Sequence, residues 1–157
     1  MVEVTVVEVK GYIREELINL DLLSERKEDA IRELARLMER TQGMIDFDLF
    51  LEDVFKRERL GTTGIGDGIA IPHARTDAVD QLVIALGRSA RGVEFESLDG
   101  KKVKLLFLMG TPKGSVSHYL KILAQLTRLL KEGTFRDKLL EARDKELVVS
   151  LFREIED

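Results

Sequence analysis

Two short stretches limit what this chain can fold into: "LVIALG" at 82–87 and "VKLLFLM" at 103–109. Both are apolar at nearly every position and lack the alternation of a strand that keeps one face in water. Strands of that kind are covered on both faces, so their sheet lies between two layers. "LDGKK" at 98–102 separates them and reads as a turn. "IAIP" at 69–72 reads as a further strand, and "LINLDL" at 17–22 as a short one. "EVTVVEVK" near the start is β-rich and reads as an edge strand or a flexible extension.

Helices flank these strands. From Lys27 to Arg40, Ala30, Ile31, Leu34, Ala35, Leu37 and Met38 recur at helical spacing, with Ser24 as a candidate cap and Gly43 beyond the end. After Asp46, the residues Phe47, Phe50, Leu51, Val54 and Phe55 form a second apolar stripe, with Arg57 in its last turn. "SHYLKILAQLTRLLK" at 117–131 is a strong helix. Two short helices over about 134–142 and 145–155 follow, capped by Thr134 and Asp144. Helices before, between and after strands imply a single layered α/β domain with the sheet inside, and 157 residues suffice for its core.

Composition narrows the function classes. Apolar residues make up 44% and charged residues 34%, as in soluble globular proteins. The net charge is -4, with Lys and Arg scattered rather than massed, which speaks against nucleic-acid binding. The absence of Cys excludes disulfides and thiolate metal sites. No basic region leads into a long apolar stretch and no apolar run could span a bilayer, so a cytoplasmic protein without membrane insertion is expected.

The glycine cluster "GTTGIGDG" at 61–68 is no phosphate loop, because "IAIPH" follows Gly68 where Lys and Ser/Thr would be needed. Nor is it a dinucleotide fingerprint, since the order here is helix, glycines, strand. It reads as a tight turn into the strand at 69–72. Gly66 and Gly68 would also let backbone N–H groups approach an anion, so the turn could border a site.

Histidine occurs only twice. His73 lies where the strand ending at Pro72 meets solvent. It is either a surface histidine or a site residue held at a sheet end by Pro72, with Arg75 placed to hold an anion beside it. His118 falls in the first turn of a helix, after Ser115 and Ser117 as candidate caps. The positive helix end disfavours imidazolium there, leaving a ring that donates one N–H; the alternative is an exposed first-turn histidine. Arg57 alone reads as a helix-end cation, and Asp67 and Asp77 as turn residues. Two histidines without Cys make a poor metal site, and "GRSARG" at 87–92 is no nucleophile elbow.

With these residues in view, the chain resembles the IIA phosphocarrier domains of the bacterial sugar phosphotransferase system, fructose/mannitol class, to which the nitrogen-regulatory IIA proteins belong. The resemblance runs from "YIREELINLDL" to the C-terminus. Its centre is "KRERLGTTGIGDGIAIPHAR", with Arg-Glu, a glycine turn, "IAIPH" and a small residue. It implies one domain over 11–157 with a mixed central sheet and helices on both faces, residues 1–10 being an extension or edge strand. It implies that His73 is phosphorylated, that His118 donates a hydrogen bond to the phosphoryl group, and that Arg57, sixteen residues before His73, offsets its charge. Arg75, Gly66 and Gly68 are secondary. The implied partners are an HPr-like phosphocarrier and a IIB component of a sugar permease, with no metal or nucleotide cofactor. Ala74 and Arg75 follow the histidine where nitrogen-regulatory proteins often have Gly-Lys, which points to the fructose type. The alternative is a phosphorylation-dependent regulator of target proteins.

Overall fold

In the computed structural model, which describes residues 8–155, the two apolar stretches form the central antiparallel pair of a six-stranded mixed sheet. They are β5, Val83–Val93, and β6, Val103–Thr111. β1 (Ile18–Asn19) runs parallel to β5 at one edge. On the other side, β3 (Ile69–Ala70) and β4 (His73–Arg75) both run parallel to β6, and β2 (Gly64–Gly66) pairs antiparallel with β3. β3 and β4 keep a single register, Ala70 opposite Leu106 and His73 opposite Met109. The strand lapses between them at Ile71 and Pro72, where proline brings no N–H.

Alternate residues enter opposite cores, which is why neither central strand shows polar alternation. Ile69, Ile71, Ile84, Leu86, Leu105, Phe107 and Met109 pack on one face with Ile122, Leu126 and Leu130 of α3 (Val116–Lys131). The same core includes α4 (Gly133–Glu141) and α5 (Lys145–Glu154). Ala70, Ala74, Val83, Ala85, Leu106 and Leu108 face α1 (Lys27–Ala35) and α2 (Phe47–Arg59), whose Ile31, Leu34, Phe50 and Val54 are fully buried. The edge by β3 and β4 sends isoleucines one way and alanines the other. A slip of one residue would drive Ile69 and Ile71 into space shaped for alanine, and overpacking of that kind costs about 1–3 kcal/mol.

Element ends follow their caps. The Asp46 carboxylate accepts the Leu49 N–H at 3.1 Å and starts α2, and Asp144 does the same for α5 through Leu147 at 2.8 Å. Where the expected caps are not used, the boundaries move. Arg26, not Ser24, occupies the N-cap of α1, and the Ser24 N–H is taken by Glu33. α1 gives way to a 3₁₀ turn at Arg36–Met38, short of Arg40. α4 begins at Gly133 with Thr134 inside its first turn. Of 17–22 only Ile18–Asn19 is strand, and the first long strand extends to Val93. Residues 3–7 of the β-rich start lie outside the described residues, while Val9–Tyr12 is a 3₁₀ turn rather than strand. Among the described residues no helix is long and apolar enough to cross a membrane.

Candidate functional site

β4 and β6 end side by side, and α3 begins just beyond them. The alternation that buries Ile69 and Ile71 beneath α3 puts His73 on the same face. There the apolar core opens into a cavity of about 780 Å³ bordered by Arg57, His73, Arg75 and Tyr119. His73 is therefore the first residue of β4, part of the sheet rather than the residue after it. Its Nδ1 lies 2.8 Å from the Ile71 carbonyl. A carbonyl only accepts, so Nδ1 carries the hydrogen and Nε2 of the neutral ring keeps its lone pair.

Four influences set the charge of that ring. Burial lowers the His73 pKa from its ordinary value of 6.5, and the positive charge of Arg57 lowers it further. The hydrogen bond to Ile71 and the charge of Glu58 oppose this without reversing it. The ring is thus neutral at pH 7. Because the unfolded chain takes up this proton more readily, stability should fall as pH drops below the ordinary histidine value. In an NMR titration the His73 midpoint should lie below 6.5 and move upward in Arg57→Ala. A midpoint at or above that value would contradict the burial and charge found here.

Positive charge surrounds the cavity. Lys56, Arg57 and Arg59 project from the last turn of α2, Arg75 from β4 and Lys113 from the loop before α3, against Asp53 as the sole acidic lining residue. Asp53 is itself engaged, accepting the Thr76 hydroxyl at 2.6 Å. Arg57 donates through Nη1 to the Gly61 carbonyl at 2.9 Å, which closes the end of α2 and leaves other N–H groups for the cavity. The helix-end and site readings of this residue are therefore compatible. A neutral nucleophile ringed by cations is suited to an anionic electrophile such as a phosphoryl group.

The loop before His73 is held from below by a residue that the sequence reading left without a role. Glu58, 7% exposed, accepts the Thr63 N–H at 2.9 Å, the Thr63 hydroxyl at 2.6 Å and the Lys27 ammonium at 3.1 Å. The Thr63 carbonyl in turn accepts the Ile71 N–H at 3.1 Å. One chain of bonds thus runs from α1 through α2 to the peptide that orients His73. The available signal was an acid inside the basic run "KRERL" at a helix C-terminus, where the dipole disfavours it.

Three expected site residues lie elsewhere. Val116, Tyr119 and Leu120 form the face of α3 over the cavity, and His118 sits roughly 100° away around that helix. His118 Nε2 is 2.8 Å from the Tyr12 hydroxyl, in the N-terminal 3₁₀ turn. Tyr119 takes the place beside His73, with ring centroids 5.6 Å apart. Gly66 precedes the turn between β2 and β3 and Gly68 lies within it, where Asp67 and Gly68 have φ of 56° and 77°, as a two-residue Asp-Gly hairpin requires. The anion near that turn is the chain's own Asp99, whose carboxylate accepts the Asp67 N–H at 3.0 Å. Among the described residues no three His, Cys, Asp or Glu side chains are grouped to hold a metal ion.

Residues 11–155 match the family model described as "Phosphoenolpyruvate-dependent sugar phosphotransferase system, EIIA 2". The chain belongs to that family. It is similar to the fructose-specific EIIA component from Haloferax volcanii, 41% identical over 140 residues that cover 89% of this chain and 91% of the relative. It is also similar to the nitrogen regulatory protein of Bradyrhizobium diazoefficiens, 36% identical over 80% of this chain and 81% of that one. The crystal structure of the nitrogen regulatory protein IIA-Ntr from Neisseria meningitidis superposes with a TM-score of 0.86 at 30% identity, covering 92% and 98% of the two chains. EIIA 2 proteins are phosphotransfer proteins, and the mixed sheet covered on both faces is their fold.

Proposed function

We propose that this EIIA protein accepts a phosphoryl group on Nε2 of His73 from a phosphohistidine of an HPr-like carrier. It then passes the group to a IIB component of a fructose-type sugar permease, as a cytoplasmic relay. The observation that carries this reading is the neutral His73 ring, tied at Nδ1 to the Ile71 carbonyl and bordering a cavity rimmed with cations. In the transfer the donor's P–N bond breaks as the bond to Nε2 forms, and the electron pair returns to the donor ring. The positive charge of the phosphorylated ring moves to His73, where the Ile71 carbonyl stabilises its Nδ1–H. Arg57 and Arg75 offset the phosphoryl charge, so catalysis rests on positioning and electrostatics. Exposed Leu60, Val116 and Leu120 beside the same cations form the surface on which a phosphorylated partner would sit.

Likeness to nitrogen regulatory proteins favours a second reading, in which phosphorylation of His73 switches binding to target proteins. The added charge of roughly -1.5 to -2 would change which surfaces are attracted to this face. One experiment tests both. The protein is labelled with enzyme I, HPr and radioactive phosphoenolpyruvate, and a fructose-type IIB domain is then added. Label stable to alkali and labile to acid should map to His73 and leave on addition of IIB. Retention of the label supports the switch, and label on any other residue overturns both readings.

A further inference from the structure

We propose that Tyr119, and not a second histidine, is the neutral hydrogen-bond donor to the phosphoryl group on His73. The proposal rests on reading His73 as the phosphoryl acceptor.

The geometry of the two aromatic rings carries it. Tyr119 borders the cavity into which a phosphoryl group on His73 would project, and its ring lies 5.6 Å from the imidazole, tilted by 39°. The two rings pack at an angle rather than as a flat stack, and both are half-buried at the cavity. Besides His73 itself, the other polar lining groups are charged: Asp53, Lys56, Arg57, Arg59, Arg75 and Lys113. Tyr119 is thus the one neutral side-chain donor on the cavity wall apart from the acceptor histidine itself. His118 does not line the cavity, and its Nε2 meets the Tyr12 hydroxyl at 2.8 Å. That contact has a use of its own. With the bond from the Val9 N–H to Gln125 at 2.8 Å, it fastens the N-terminal turn along the outer side of α3.

The two kinds of donor differ in their response to pH. An imidazole changes charge between about pH 5 and 8, whereas a phenol remains a neutral donor throughout that range. With Tyr119 as the donor, the rates of phosphorylation and of onward transfer carry no titration from a second histidine.

Removal of a single oxygen tests the idea. Tyr119→Phe keeps the ring on His73 and deletes the donor. Its phosphorylation by HPr should slow by about 10- to 100-fold, the range for losing one hydrogen bond to a charged group. His118→Ala should stay within about threefold of the parent. Tyr119→His should recover part of the rate and acquire a pH dependence between about pH 5 and 8. A Tyr119→Phe rate within twofold of the parent, with Tyr119→Ala slow, would reduce Tyr119 to packing and overturn the proposal. Rate loss confined to His118→Ala would overturn it as well. If the parent protein takes no label at His73, the reading beneath the proposal fails, and this differs visibly from labelled parent with indifferent Tyr119→Phe.

Discussion

His73→Gln should fold and melt within a few degrees of the parent yet accept phosphate at least about a thousandfold more slowly, the order of loss seen when a nucleophile is removed. The two halves of this expectation have separate causes. Structurally, His73 contributes one hydrogen bond to a backbone carbonyl at the rim of the core, worth about 0.5–1.5 kcal/mol net. A domain of this size should therefore melt only a few degrees lower. Chemically, nothing nearby can replace it. The other cavity groups are cations, one carboxylate already bonded to Thr76, and a phenol, while the second imidazole is bound to Tyr12. Circular dichroism melts and labelling by phosphorylated HPr, done on the same preparation, separate the two halves. Persistent labelling of a folded His73→Gln protein would remove His73 from the centre of the mechanism.

What could be read beforehand divides along a physical line. The two-faced strands were legible because burial on both sides writes itself into consecutive residues, and α2 and α5 because Asp46 and Asp144 are local signals. The early end of α1 was not, since nothing in "ARLMER" stops a helix, yet Arg36–Met38 is a 3₁₀ turn. That His73 and Arg57 border one cavity was foreshadowed by the family pattern around the proline and the glycine turn. His118 illustrates the limit. Adjacent helix residues point in different directions, and which one meets the site depends on the rotation of α3 against the sheet. The side of α3 that faces the sheet is the one carrying Ile122, Leu126 and Leu130. The helix N-terminus and the family resemblance pointed to the histidine, whereas the face of α3 that lines the cavity carries Tyr119.

The second large effect should come from Glu58, which touches no substrate in this scheme. Glu58→Ala should destabilise the fold by about 3–5 kcal/mol, the usual result of removing one partner from a buried ion pair. The Lys27 side chain is only 16% exposed and would keep just the distant, exposed Glu96 at 3.7 Å and the face of Phe95. The Thr63 N–H and hydroxyl would lose their acceptor as well. Lys27→Met/Glu58→Leu should recover part of the loss, because no charge is then stranded, so urea unfolding of the single and double variants gives the coupling directly. The damage should also reach His73. Thr63 would no longer hold the Ile71 peptide, loosening the carbonyl that orients the imidazole. Loss of the Glu58 charge also removes an influence that raises the His73 pKa, so the NMR midpoint should fall rather than rise. Glu58→Gln keeps the shape and one acceptor oxygen, and should separate charge from packing: the same downward shift with a smaller loss of stability. If Glu58→Ala instead melts within a degree of the parent, the Lys27–Glu58–Thr63 chain does not hold the loop, and another cause must be found for the fixed orientation of His73.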